Sequence, residues 1–215
     1  MKIVPAILAE NYDGFITRVR QAEAFTNYVQ IDIMDGVFVP TFSFPAEQIN
    51  NVDTTLSFEL HLMVKHPAAY MSNVFHPNLR KVIFHFESDV KHLAFIEQMG
   101  KRGLDVGMAI DPDIPIEEFT GMAANVNSLM FLTVDPGSYA SPFRPEVIGK
   151  IRKARQMFLD KNLSADGGVS LENLGLFLEA GLDYVCVGSR IFLNGNPGEN
   201  YNMFLKKLSE LEGYK

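Results

Sequence analysis

Eight apolar runs of strand length recur along the chain, most followed by a stretch with helical spacing, and this alternation limits the possible folds more than any other feature. A strand feeding a helix feeding the next strand is the signature of parallel β/α architecture. The runs are Ile3–Leu8, the Tyr28–Gly36 stretch, Leu56–Leu62, Lys81–His85, Leu104–Ile110, Ser128–Val134, Asn162–Asp166 and Asp183–Val187. Helical spacing is predicted over Asn11–Phe25, where Phe15, Val19, Ala22 and Phe25 share one face. It recurs over Pro67–Asn73, Asp89–Arg102, Ile116–Ala123, Glu146–Lys161, from a Ser170 cap to Ala180, and over Glu199–Glu212. Eight such units in 215 residues, 47% of them hydrophobic, favour closure into one (β/α)8 barrel of the TIM type over an open doubly wound sheet. No linker or low-complexity tract divides the chain, so residues 1–215 are expected to form a single domain.

The polar residues that interrupt these runs are informative because of where they fall. Between Tyr28 and Gly36, Val29, Ile31 and Ile33 alternate with Gln30, Asp32 and Met34, so one strand face carries an amide and a carboxylate. Burying an unpaired carboxylate is costly, which makes Asp32 the first candidate site residue. A plainer reading is that Asp32 and Asp35 only cap the following turn. His61 ends the third strand and Asp166 the seventh. A barrel builds its sites on the face where its strands end, and Asp32, His61 and Asp166 all fall there. Two carboxylates across a cavity can remove a proton from one face of a carbon and return it to the other. The same Asp, His and Asp can ligate one divalent ion, whose charge would stabilise an enediolate. His66, His76, His85 and His92 lack comparable company and read as structural.

Gly167-Gly168 and Gly188-Ser189 follow strands seven and eight, where barrels use backbone N–H groups to hold a phosphate. Gly137, in Asp135-Pro136-Gly137, would complete the cradle from strand six provided that the Asp135 carboxylate points away. Val37–Pro45, rich in Phe and Pro, is a loop long enough to arch over the site.

A net charge of −7 argues against a nucleic-acid partner, since binding a phosphate backbone takes clustered Lys and Arg. Cys186 is the only cysteine, so no intrachain disulfide is possible. Neither a signal segment nor an apolar run of bilayer length is visible. The expectation is a soluble cytoplasmic protein without a membrane partner, acting on a small molecule and assembling as a homo-oligomer.

Pro5-Ala-Ile-Leu8, Ile31-Asp-Ile-Met-Asp-Gly-Val-Phe-Val-Pro40, Glu59-Leu-His-Leu-Met63, Val134-Asp-Pro-Gly137, Ala165-Asp-Gly-Gly-Val169 and Val187-Gly-Ser-Arg-Ile-Phe192 together resemble the ribulose-phosphate 3-epimerase family over nearly the whole chain. The resemblance implies epimerisation of a ketose phosphate at carbon 3, with ribulose 5-phosphate and xylulose 5-phosphate as the family's pair. It implies Asp32 and Asp166 as the acid/base carboxylates and, with His61, as ligands of a divalent metal. Zinc comes first, with manganese, iron, cobalt or magnesium as alternatives. Met34 and Met63 would form a polarizable lid over the substrate. The chain departs from the family at Gln30, where a histidine ligand is usual and where an amide oxygen would be a poorer ligand. Ala6 and Ala9 replace serines, and the segment Ser138-Tyr-Ala-Ser141 is altered. The alternative these departures raise is a paralogue that binds a sugar phosphate without turning it over.

Overall fold

The computed structural model of the chain describes residues 1–137 and 141–213, so of the altered segment Ser138-Tyr-Ala-Ser141 only Ser141 lies inside it. Eight parallel strands close on themselves in sequence order: β1 (Lys2–Ile7), β2 (Tyr28–Met34), β3 (Ser57–Met63), β4 (Leu79–His85), β5 (Asp105–Ile110), β6 (Ser128–Leu132), β7 (Asn162–Asp166) and β8 (Tyr184–Val187). β8 pairs back onto β1, with Lys2 opposite Tyr184 and Pro5 opposite Val187. Outside them lie α1 (Tyr12–Glu23), α2 (Pro67–Met71), α3 (His92–Lys101), α4 (Ile116–Ala123), α5 (Val147–Met157), α6 (Leu174–Glu179), a short α7 (Ser189–Phe192) and α8 (Pro197–Gly213). This is the (β/α)8 barrel that the alternation predicts. No helix among the described residues is long and apolar enough to cross a membrane.

Both faces of the strands are buried, for different reasons. Val29, Ile31 and Ile33 of β2 face outward and join Phe15, Val19 and Ala22 of α1 in the main core between sheet and helices. Inside the barrel, Val4, Ala6, Ile83, Ala109, Met130, Leu132 and Cys186 form a separate apolar layer. Below that layer, toward the strand starts, Glu59 is fully buried, and its carboxylate accepts from Lys81 Nζ (2.8 Å), Tyr28 Oη (3.0 Å) and Tyr184 Oη (3.0 Å). Burial, with the charge of this carboxylate adding to it, pushes both phenols above the ordinary tyrosine range.

Some element boundaries differ from the expected ones. Asn11 caps α1 from outside, its Oδ1 accepting from Gly14 N at 2.9 Å. Ser170 does not cap α6; its N–H donates to Asn173 Oδ1 (2.8 Å) in a turn, and the helix starts after that turn. α5 stops at Met157, short of Lys161, where Arg155 reaches beyond the helix end to the carbonyl of Lys161 (3.0 Å). Between β2 and β3 the chain forms only a 3-10 helix, Ala46–Asn51, because the preceding residues form the arch.

That arch is pinned at several points. Asp35 Oδ1 accepts from Val37 N (2.9 Å) and Phe38 N (2.7 Å), and its other oxygen accepts from Lys65 N (2.7 Å). Capping is therefore the role of Asp35, but not of Asp32. Ser43 N donates to Met34 O (3.1 Å), and the Thr41 hydroxyl donates to the Gly137 carbonyl. Val39 at the arch's crest is buried against Met34 and Met63.

Candidate active site at the barrel mouth

β2 and β3 are paired with Asp32 opposite His61, and β7 brings Asp166 to the same height. His61 is fully buried, with Nδ1 3.1 Å from Asp32 Oδ1 and 3.2 Å from Asp166 Oδ2. Gln30 lies two residues before Asp32 on the same inward face, also fully buried. Its Nε2 donates to Asp32 Oδ1 at 2.8 Å and to Asp166 Oδ2 at 2.7 Å, and stands 3.5 Å from His61 Nδ1. The amide oxygen points the other way and accepts from the Cys186 thiol at 3.0 Å. Each carboxylate thus spends one oxygen on this cluster. Among the described residues, no hydrogen bond is made to Asp32 Oδ2 or Asp166 Oδ1.

The cluster sets the charges. Burial raises Asp32 to about 6, with the Asp166 charge adding to the rise, while bonds from His61 and Gln30 oppose it. Burial opposes a charge on His61, but the two carboxylates outweigh it and raise the imidazole to about 10, so the ring is cationic at neutral pH. Burial and the Asp166, Glu59 and Asp32 charges push the Cys186 thiol up, keeping it neutral.

His85 was missed by the sequence reading, which left it without company. Its ring stacks on His61 at 5.1 Å, with Nε2 3.0 Å from His61 Nε2. Burial and the neighbouring His61 charge hold it well below the ordinary histidine range, so neutral His85 accepts the proton of His61 Nε2–H. Its own Nδ1 is buried without a partner among the described residues. The alternation Lys81, Ile83, His85 on β4 puts His85 on the inward face and was the signal available. Cys186, read from the sequence only as excluding a disulfide, alternates inward from Tyr184 in the same way.

Above the cluster opens a cavity of about 610 Å³, lined by Asp32, Asp166, Met34 and Met63 and by Gly137, Gly167, Gly168, Gly188 and Ser189. The structure thus gathers all the expected phosphate-cradle and lid residues around one space. Gln30 and His61 lie beneath its floor instead of lining it. Gly167 and Gly168 have φ of 99° and 64°, the left-handed backbone that favours glycine. Gly188 needs its missing side chain for another reason: a Cβ there would sit 3.2 Å from Ala6 O. Asp135 is exposed and bonded to Arg144 (2.9 Å), so its charge is directed away from the cradle. Arg190, at the second position of α7, also lines the cavity and is the sole cationic side chain among the described lining residues.

One ligand atom each from Asp32, His61 and Asp166 falls within 4.8 Å of the others, close enough in principle to hold a metal ion. The donor set around them does not fit one as it stands. The Gln30 NH2 group, which has no lone pair to offer a metal, bonds to the same two carboxylate oxygens. The expected Gln30 oxygen ligand is turned toward Cys186 instead.

Known proteins resemble the chain in sequence and in fold. Ribulose-phosphate 3-epimerase of Schizosaccharomyces pombe is 27% identical over 204 residues, covering 92% of this chain and 90% of its own. The enzyme of that name from Treponema pallidum is 28% identical over 197 residues, covering 88% and 90%. Among solved structures, KGPDC from Streptococcus mutans, in complex with D-R5P, superposes with a TM-score of 0.72 over 97% of both chains at 12% identity. A 3-hexulose-6-phosphate synthase superposes with a TM-score of 0.69 over 96% of this chain and 99% of its own at 11% identity. At such identities these two structures speak for the barrel alone. The profile of the ribulose-phosphate 3 epimerase family matches residues 2–192, and on that match, with the strand-end residues assembled at the barrel mouth, the chain belongs to the ribulose-phosphate 3-epimerase family, an isomerase family acting on carbohydrates.

Proposed function

We propose that the chain epimerises a ketose phosphate at carbon 3 by two-carboxylate proton transfer, with ribulose 5-phosphate and xylulose 5-phosphate as the first pair to test. The observation that carries this reading is the pairing of Asp32 and Asp166, both lining the cavity, by one amide that engages Asp32 Oδ1 and Asp166 Oδ2 and, among the described residues, leaves the second oxygen of each without a hydrogen bond. A sugar lying between those oxygens presents opposite faces of carbon 3 to them. One carboxylate takes the proton, a planar enediolate forms, and the other carboxylic acid returns a proton to the far face. With its pKa near 6, Asp32 can be either donor or acceptor around neutrality. Cationic His61 beneath the pair offsets the repulsion between two close carboxylates. The backbone of Gly167, Gly168, Gly188 and Ser189 receives the phosphate, with Gly137 at the rim and Arg190 supplying positive charge. Met34 and Met63 cover the sugar.

The divalent ion that the resemblance implies, zinc first, would look to Asp32, His61 and Asp166, whose two carboxylates the Gln30 amide already bonds. No step above runs through it. Proton exchange tests the reading. In deuterated solvent the wild-type protein should wash deuterium into carbon 3 of both epimers. Asp166→Asn should abolish net conversion yet leave exchange in one epimer, and Asp32→Asn should leave it in the other. Tight binding of a ketose phosphate with no carbon-3 exchange in the wild type would establish the second reading, a binding paralogue, which the replacement of a ligand histidine by Gln30 favours.

A further inference from the structure

We propose that Gln30 is a positioning residue that takes over the work of the metal ion, holding the carboxylate pair in place without a cation. The inference rests on the epimerase reading for its catalytic consequence, but not for its geometry. Two hydrogens of one amide group meet two carboxylates, at 2.8 Å to Asp32 Oδ1 and 2.7 Å to Asp166 Oδ2. Those are also the two oxygens that His61 Nδ1 approaches, at 3.1 and 3.2 Å, so one atom from each of the three residues that could hold an ion converges there. The NH2 group therefore stands where the ligand atoms converge.

The orientation of the amide is fixed by its neighbours. Oε1 accepts from the Cys186 thiol at 3.0 Å. Turning the amide over would set that oxygen against two carboxylate oxygens and leave the NH2 group facing a sulfur that accepts hydrogen bonds weakly. Gln30 and His61 are fully buried and Cys186 nearly so, so leaving one of these bonds unmade carries a desolvation cost. An ion seated among Asp32 Oδ1, Asp166 Oδ2 and His61 Nδ1 would have to displace the amide, which breaks the bonds to Asp32, Asp166 and Cys186 together. Ion and amide are alternatives at this position, and the chain carries the amide. Cys186 belongs to the same device, since its thiol selects the orientation that points NH2 at the carboxylates.

The test compares wild-type protein with Gln30→His and Gln30→Leu. Each is exposed to zinc, desalted, and assayed for bound metal by mass spectrometry; carbon-3 exchange is then measured before and after a chelator. Wild type should retain only a small fraction of one equivalent of zinc, and its exchange rate should change less than about twofold on chelation. Gln30→His, which supplies a nitrogen ligand and no bridging NH2, should retain about one equivalent. Gln30→Leu should lose exchange by about tenfold or more, as when a group that orients catalytic side chains is removed, while still binding the ketose phosphate. Wild type that retains about one equivalent of zinc and loses exchange on chelation would overturn the proposal. The metal count separates this from failure of the epimerase reading: if no protein exchanges carbon-3 hydrogen, low zinc in wild type beside high zinc in Gln30→His still supports the amide as the ion's substitute. Equal zinc in the two would refute it.

Discussion

Removing Lys81 should damage the fold while sparing the site. Glu59, at the strand-start end of the barrel, is fully buried, and its carboxylate relies on Lys81 Nζ at 2.8 Å, with the Tyr28 and Tyr184 hydroxyls as its further partners among the described residues. In Lys81→Met a buried negative charge keeps two neutral donors and no counter-charge. Breaking a buried pair by deleting one member costs about 3–5 kcal/mol. The Lys81 side chain is 13% exposed, so solvent screening removes little of that. For a chain of this length the loss corresponds to a fall in Tm of roughly 6–20 °C. The double variant Lys81→Met, Glu59→Gln removes the stranded charge and lets a neutral amide receive both phenols, so it should regain at least half of the loss. Urea unfolding of the wild type, both single variants and the double variant measures each term, and ketose-phosphate affinity by calorimetry checks that the mouth is untouched. A loss below about 1 kcal/mol for Lys81→Met, or a double variant less stable than that single one, would refute the reasoning.

Three further outcomes are expected. His61 is raised from its ordinary 6.5 to about 10, which stabilises the fold fully below about 6.5 and ceases to do so as pH rises through 10; Asp32, raised from 3.8 to about 6, acts with the same sign at lower pH. Unfolding free energy should therefore decline between pH 6.5 and 10 and decline less in His61→Gln, whereas matching slopes would remove the charge assigned to His61. Gly137 has φ of 96° and a Cβ there would collide with Val39, so Gly137→Ala should cost roughly 1–2 kcal/mol and weaken ketose-phosphate binding by displacing the arch; wild-type stability in chemical unfolding would contradict this. Arg190→Gln should weaken binding of the phosphorylated sugar about three- to tenfold, as for a lost hydrogen bond of 0.5–1.5 kcal/mol, and leave the dephosphorylated sugar unaffected; equal effects on both sugars in calorimetry would place Arg190 away from the phosphate.

How far the sequence could be read depended on the range of the interactions involved. β7 and α4 were placed at their observed ends, and for β7 the stop at Gly167-Gly168 is a local signal. Asp32, His61 and Asp166 were legible because strand-end carboxylates and imidazoles stand out in apolar runs. The direction of the Gln30 amide was not, since it is decided by a thiol from Cys186 on β8, far along the chain. His85 was passed over for the same reason: its importance comes from a ring on the adjacent strand that no spacing within β4 reveals. The late start of α6 reflects competition between two turn-forming side chains, Ser170 and Asn173, either of which looks like a cap when read alone.

The barrel's interior carries two ionic layers, Glu59 with Lys81 at one end and Asp32, Asp166 and His61 at the other, and between them lies the uncharged layer of Val4, Ala6, Ile83, Ala109, Met130, Leu132 and Cys186. Such insulation gives the chain evolutionary latitude. The lower layer and the outer core support folding, so a mouth residue can be exchanged without loss of the barrel. New chemistry at the open end can then be sampled one substitution at a time, each variant still reaching the same barrel.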